Sequence, residues 1–136
     1  MIEIGHITIQ TLCHATEKEE SVLKALKKLY PTFEKRTVTG YFGNPISIFE
    51  ATITRTKEIA SVVNMMKEHF AAQLKDDLKR RIDKKGNLYI RVDKQELYHG
   101  NFVAKDSGEV KITIHIQSYP FRVEDAIRYA EELFGH

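Results

Sequence analysis

The spacing of apolar residues along the chain predicts an alternation of strands and helices. Between residues 109 and 117, apolar and polar residues alternate, which is typical of a strand with one buried and one solvated face. Similar patterns, less regular in the second and third cases, predict strands over residues 2–14, 33–42, 46–54, 87–92, 101–105 and 109–117. Apolar stripes at helical spacing predict one helix that begins at Thr16, one that begins near Arg55 and continues to Ile82 after a bend, and one that follows Tyr119-Pro120.

Short polar motifs set the expected beginnings of two helices. Thr16 and Glu19 have the spacing of a capping box, so the first long helix is expected to begin at Thr16. Asp93 and Glu96 have the same spacing, which predicts a short helical turn over residues 94–99.

This order of elements indicates the fold class. Strands that are partly linked by hairpins and interspersed with helices are typical of the α+β class. We expect residues 1–136 to form a single α+β domain with a mixed, mostly antiparallel sheet and helices packed on one face. The other face of the sheet would then be partly solvated.

The composition narrows the class of protein. With 42% hydrophobic and 29% charged residues in 136, the chain has the make-up of an ordinary soluble globular domain. No apolar run reaches the ~20 residues of a membrane helix, and the N-terminus lacks a signal-peptide pattern. Cys13 is the single cysteine, which leaves no internal disulfide and fits a reducing compartment. We therefore expect a cytoplasmic protein.

Local motifs for catalysis and metal binding are lacking in the sequence. Cys13 and His14 point to opposite faces of a strand and cannot form a nucleophile–base pair there. His6 and His14 are separated by roughly 26 Å along an extended strand, too far to share an ion. The sequence predicts no enzyme, no catalytic residue, no metal and no cofactor, although it leaves open catalysis by residues distant along the chain.

Positive charge is concentrated in one segment. From Lys79 to Lys94 the local net charge is +5, whereas the whole chain carries +2. Such a cluster is suited to the phosphate backbone of a nucleic acid, and Tyr89 on the adjoining strand could stack on a base. The candidate RNA-binding residues in this segment are Arg80, Arg81, Lys84, Lys85, Tyr89, Arg91 and Lys94. The alternative is a solvated helix end and turn, with Tyr89 packed beneath a helix.

The predicted hairpin turn at Gly43-Asn44-Pro45 is a second candidate contact region. Gly and Asn tolerate positive φ, and backbone N–H groups in such a turn could face a phosphate. Most turns of this kind have no further role. Tyr41 and Phe42 lie next to the turn, and Arg55 is expected to return near it. The RNA-binding candidates in this region are Arg36, Asn44 and Arg55.

The chain resembles an archaeal RNA-binding family that is described as predicted exosome subunits. The matching motifs are His14-Ala15-Thr16-Glu17-Lys18-Glu19-Glu20, Gly43-Asn44-Pro45-Ile46, Arg81-Ile82-Asp83, Gly86-Asn87-Leu88-Tyr89-Ile90-Arg91, Asp93-Lys94-Gln95, Tyr98, Gly100 and Tyr119-Pro120. Their order agrees with the family over nearly the whole chain. The resemblance implies a fold similar to that of the ribosomal protein that binds 5S ribosomal RNA, together with RNA binding and an accessory role in RNA processing or the exosome.

These observations lead to two hypotheses of different classes. The first is a non-catalytic RNA-binding protein whose basic and aromatic surface holds structured RNA. The second is a protein-interaction subunit without direct RNA contact, in which the acidic C-terminal helix or the uncovered sheet docks a partner or a second copy of the chain. A continuous basic surface would favour the first, and a large exposed apolar patch would favour the second.

Overall fold

A computed structural model describes residues 2–40 and 42–135, and it confirms the α+β class. The strands are β1 (Ile2–Cys13), β2 (Glu34–Thr39), β3 (Pro45–Ile53), β4 (Asn87–Val92) and β5 (Val110–Ser118). The helices are α1 (Glu19–Leu26), α2 (Thr56–Leu74), α3 (Leu78–Arg81), α4 (Lys94–Tyr98) and α5 (Val123–Phe134). Tyr41, in the second predicted strand, lies outside the described residues.

The five strands form one sheet in the order β2-β3-β1-β5-β4, and all four neighbouring pairs are antiparallel. The long β1 is the central strand. Its register with β5 shifts between Ile4 and His6, which leaves Gly5 as the extra residue of a bulge. Because of this bulge, Ile4 and Ile7 face the same side of the sheet although three positions separate them.

The helices pack on one face of the sheet, as the sequence predicted. Alternate residues of the strands, such as Ile7, Ile112 and Leu88, are fully buried on that face. They share one core cluster with buried residues from each of the helices, among them Met66 and Phe70 of α2. The strand residues between them point to the opposite face, where most of them are exposed or half-buried and Ile48 of β3 is buried.

β4 and α4 follow the sequence prediction closely. Leu88, Ile90 and Val92 are buried. The carboxylate of Asp93 accepts a hydrogen bond of 2.9 Å from the backbone N–H of Glu96 and caps α4.

The predicted beginning of the first helix is wrong. α1 begins at Glu19, with Lys18 at the N-cap position and no capping side chain. The two carboxylates available for capping have other partners. Glu17 accepts from the backbone N–H of His14, and Glu19 binds Lys35 and Ser47. The capping-box spacing is present in the sequence, but its acidic residue, Glu19, binds Lys35 and Ser47 instead of capping the helix.

The predicted strand over residues 101–105 is also wrong. The segment makes only an isolated bridge, in which Ala104 is aligned with Val92. Two hydrogen bonds of 2.9 Å accompany it, from the Asp93 N–H to the Val103 carbonyl and from the Lys105 N–H to the Arg91 carbonyl. The side chain of Gln73 on α2 binds the Phe102 carbonyl at 2.9 Å and the Ala104 N–H at 2.8 Å. These hydrogen bonds hold the segment against α2 and satisfy backbone groups of Phe102 and Ala104 that do not bond to β4.

The turn before β4 is closely packed. Gly86 has a φ of +88°, and its carbonyl accepts a hydrogen bond of 2.9 Å from the N–H of Ile116 on β5. A Cβ at this position would lie 2.5 Å from the Ile116 carbonyl oxygen and 2.8 Å from the ring of Phe121. Both the backbone conformation and the available space therefore require glycine.

We expect Gly86→Ala to lower the free energy of unfolding by more than about 2 kcal/mol, since the cost of overpacking adds to that of a left-handed backbone. Gly100→Ala is the matched control. Gly100 has the same φ of +88°, but a Cβ there would meet no described atom within 4 Å. Its expected cost is about 1 kcal/mol. Denaturant unfolding measures both values, and equal losses would contradict the close packing at Gly86.

Candidate nucleic-acid interface

The sheet face opposite the helices carries polar and aromatic side chains in rows that run across the strands. In one row, Tyr89 of β4 is aligned with Thr113 of β5, which is aligned with Thr8 of β1. In the next row, Arg91 is aligned with Lys111. None of the described helices covers these side chains, and each of them is exposed or half-buried. We call this surface the uncovered face.

Tyr89 is held in a fixed orientation on the uncovered face. Its hydroxyl donates a hydrogen bond of 2.8 Å to Asp83, and the Nζ of Lys111 lies 5.2 Å from its ring centroid. Partial burial disfavours ionisation of Asp83, but hydrogen bonds from Asn87, Tyr89 and Lys85 lower its pKa to about 2. Asp83 is therefore ionised at neutral pH and anchors the tyrosine.

Two histidines extend this aromatic surface towards the end of the sheet where β4 begins. The rings of His6 and His115 stack with their centroids 4.9 Å apart. His115 Nδ1 lies 2.8 Å from the side-chain oxygen of Asn87. Burial, followed by the neighbouring His6, lowers the pKa of His115. Near neutral pH this part of the surface is consequently aromatic and contains an uncharged His115.

Arg91 and Lys111 form the cationic part of the uncovered face. Arg91 is exposed, and its guanidinium donates to the carbonyl of Gly108 at 3.3 Å. A pocket of about 280 Å³ opens beside the pair and is also lined by Gln10 and Ser107. Sequence reasoning selected Arg91 but not Lys111. The alternation of apolar and polar residues in β5 predicted that Lys111 lies on the polar face. Its position next to Arg91 became evident only from the pairing of β5 with β4 in the structure.

Arg80 and Arg81 are bound to carboxylates. Arg80 makes contacts of 2.6 Å with Asp77 and 3.1 Å with Asp106. The side chain of Arg81 is only 10% exposed and lies 3.1 Å from Asp77. Hydrogen bonds from Arg80 above all lower the pKa of Asp77 to about 2, so these ion pairs are formed at neutral pH. Much of the positive charge that the sequence places here is balanced locally.

Lys94 is a buried structural cation. Its side chain is 8% exposed, and its Nζ lies 2.9 Å from Glu17, 3.0 Å from Glu109 and 2.9 Å from the carbonyl of Leu12. These contacts join β1, α4 and the segment before β5. Lys94 is therefore not an open phosphate-binding group on this surface.

The remaining predicted residues lie in separate places. Lys84 and Lys85 are exposed in the turn before β4 and make no ion pair among the described residues. Arg36 lies on β2, at the far edge of the sheet. Asn44 precedes β3 and Arg55 follows it, so roughly 30 Å of strand separates them. Arg55 thus does not return to the Asn44 turn.

Comparison with known proteins identifies the family. A family model described as RNA binding matches residues 6–118. The chain belongs to this RNA-binding family. The matched segment includes β2 to β5 and most of β1, and hence nearly all of the uncovered face.

Two archaeal proteins show how similar this chain is to known relatives. The chain is 29% identical to the RNA-binding protein PAB1135 of Pyrococcus abyssi, over 96% of this chain and 94% of that protein. It is 29% identical to Mth689, a DUF54 protein from Methanothermobacter thermautotrophicus, whose structure superposes with a TM-score of 0.83. That match covers 96% of this chain and 98% of Mth689. The family resemblance inferred from the motifs is confirmed.

Three further observations concern membrane helices, metal ligands and the cysteine of this chain. None of the described helices is long and apolar enough to cross a membrane. Within residues 2–40 and 42–135, no group of three His, Cys, Asp or Glu side chains is arranged to hold a metal ion. Cys13 is a buried core residue.

We expect Lys94→Ala to lower the free energy of unfolding by about 2–4 kcal/mol, because it leaves Glu17 and the Leu12 carbonyl without their buried partner. Lys84→Ala removes the same charge from an exposed turn and should leave stability unchanged. Denaturant unfolding of both variants makes the comparison. If Lys94→Ala were as stable as Lys84→Ala, the structural role of Lys94 would be refuted.

Proposed function

We propose that this protein is a non-catalytic RNA-binding domain that holds structured RNA on its uncovered face. The observation that carries the proposal is the solvent-facing group formed by Arg91, Lys111 and Tyr89 on two rigid, paired strands. Membership of the RNA-binding family supports RNA as the ligand. The relative PAB1135 is itself named an RNA-binding protein, which supports the same ligand.

The proposed contacts follow from the chemistry of each group. Arg91 and Lys111 bind phosphate oxygens, and Lys84 and Lys85 extend the cationic surface beyond the beginning of β4. Threonine hydroxyls at Thr8 and Thr113 can contact ribose 2′-hydroxyl groups, which distinguish RNA from DNA. Because the strands are held rigidly, little conformational entropy is lost when RNA binds.

The distribution of acidic residues limits where RNA sits. The row that contains Arg91 and Lys111 continues through Gln10 to Glu50 and Glu34 on β3 and β2. These carboxylates would repel phosphates. We therefore propose that RNA lies over β4, β5 and β1, and that Arg36 makes a smaller contribution than Arg91.

Arg80, Arg81 and Lys94 support this surface indirectly in the proposal. Arg80 binds Asp106, and Lys94 binds Glu109, so both fix the loop between α4 and β5. The Gly108 carbonyl, which accepts the hydrogen bond from Arg91, belongs to the same loop. Their main effect on RNA affinity would be to keep Arg91 in place.

The wider role is proposed from the resemblance noted in the sequence. We propose that the RNA-bound protein is an accessory factor in RNA processing, including processing by the exosome. A protein-interaction subunit that uses the uncovered face for a partner or a second copy is the competing function. It predicts protein binding without RNA binding.

We expect the double variant Arg91→Ala/Lys111→Ala to bind a blunt RNA hairpin roughly tenfold or more weakly than wild type at low salt. Loss of two phosphate contacts should also reduce the slope of log affinity against log salt by about two. Fluorescence anisotropy across a salt series measures both quantities.

The control for this experiment is Lys57→Ala/Lys67→Ala, which removes the same charge from exposed positions on α2. It should have little effect on affinity or slope. Equal losses in the two double variants would show that only overall charge matters, and absence of hairpin binding by wild type would refute the proposed function.

A further inference from the structure

Tyr119, between β5 and α5, is almost completely exposed. Its relative exposure is 92%, although a tyrosine ring usually buries much of its apolar surface. It packs into no part of the core cluster that the structure describes. A ring held outside the core in this way is available for stacking with a ligand.

A groove of about 530 Å³ lies beside Tyr119 and carries charged groups of both signs. Arg122 and Arg128 line it together with Asp125 and Glu132. Arg128 lies 3.9 Å from Asp125, whereas Arg122 makes no ion pair to any residue that the structure describes. Arg122 is exposed, so its guanidinium remains available to an anion close to the Tyr119 ring.

The close packing at Gly86 brings two more cations, Lys84 and Lys85, towards the groove beside Tyr119. Gly86 lies against the ring of Phe121, which is two residues from Tyr119 and adjacent to Arg122. Lys84 and Lys85 precede Gly86 directly. Lys84, Lys85 and Arg122 are each one or two residues along the chain from the Gly86–Phe121 contact, a chain length of roughly 7 Å at most.

The combined site has an excess of available positive charge. Arg122 and Arg128 line the groove together with Asp125 and Glu132, and Lys84 and Lys85 lie in the turn that packs on Phe121. Asp83, in the same turn, accepts hydrogen bonds from neutral donors of Lys85, Asn87 and Tyr89 and keeps its negative charge, so four cations face three carboxylates. An exposed aromatic ring with a free cation beside it is an arrangement by which proteins bind unpaired nucleotides.

We propose that this end of the sheet binds an unpaired nucleotide of RNA, with Tyr119 stacked on the base and Arg122, Lys84 and Lys85 on the flanking phosphates. The inference rests on the proposed function and adds a single-stranded element to the ligand. The stacked His6 and His115 lie on the uncovered face near the same end. An RNA held on that face would therefore extend its single strand across Tyr119.

The test compares a blunt RNA hairpin, the same hairpin with a three-nucleotide overhang, and a short single-stranded oligonucleotide. The overhang and the oligonucleotide contain 2-aminopurine, whose fluorescence is quenched by stacking. Wild type should bind the overhang hairpin more tightly than the blunt one and quench the fluorophore. Tyr119→Ala should lose roughly 5- to 150-fold in affinity for the overhang hairpin, together with the quenching. Tyr119→Phe, which retains the ring, should behave like wild type.

The outcomes separate this inference from the proposed function. If blunt hairpins bind and the overhang adds neither affinity nor Tyr119-dependent quenching, the inference is overturned while the proposed function stands. If blunt hairpins fail to bind but Tyr119 still quenches the oligonucleotide, the structured-RNA function fails and the nucleotide site stands. If no RNA binds, both are refuted, and a protein ligand for Tyr119 becomes the better account.

Discussion

Burial of one face of the sheet is the constraint on which the rest of the structure depends. The alternation in β1, β4 and β5 puts Ile7, Leu88 and Ile112 on the same side, and burial of each such side chain stabilises the fold by roughly 1.5–3 kcal/mol. Each helix contributes to that single core. Since the helices are all needed on this side, the opposite face remains open, and its polar residues are available to a ligand.

Many of the positive charges that cluster in the sequence are paired with carboxylates in the structure, so fewer of them are free on the surface. Arg80 and Arg81 meet Asp77, while Lys94 meets Glu17 and Glu109. The basic segment therefore stabilises the loop before β5 as well as providing free cations. The cations left for RNA on and beside the uncovered face are fewer, and they are Arg91 on β4, Lys111 on β5, and Lys84 and Lys85 in the Gly86 turn.

Local signals were sufficient to predict much of the fold, and distant contacts explain the errors. β4 and the capped α4 depend on alternation and on the Asp93 cap, which are readable within a few residues. The segment over 101–105 depends on Gln73, far away in sequence, so its pattern was misleading. The same limit applies to the site, because the pairing of Lys111 with Arg91 and the burial of Lys94 require the strand order and the tertiary contacts.

The most direct test of the central claim is a methyl NMR titration with a blunt RNA hairpin. Thr8 and Thr113 lie on the uncovered face, whereas Ile7 and Ile114 lie beneath the helices in the adjacent positions of the same strands. The account predicts intermolecular NOEs from RNA to the two threonine methyl groups and none to the two isoleucine methyl groups. NOEs confined to residues on the outer surface of α2 or α5 would contradict it.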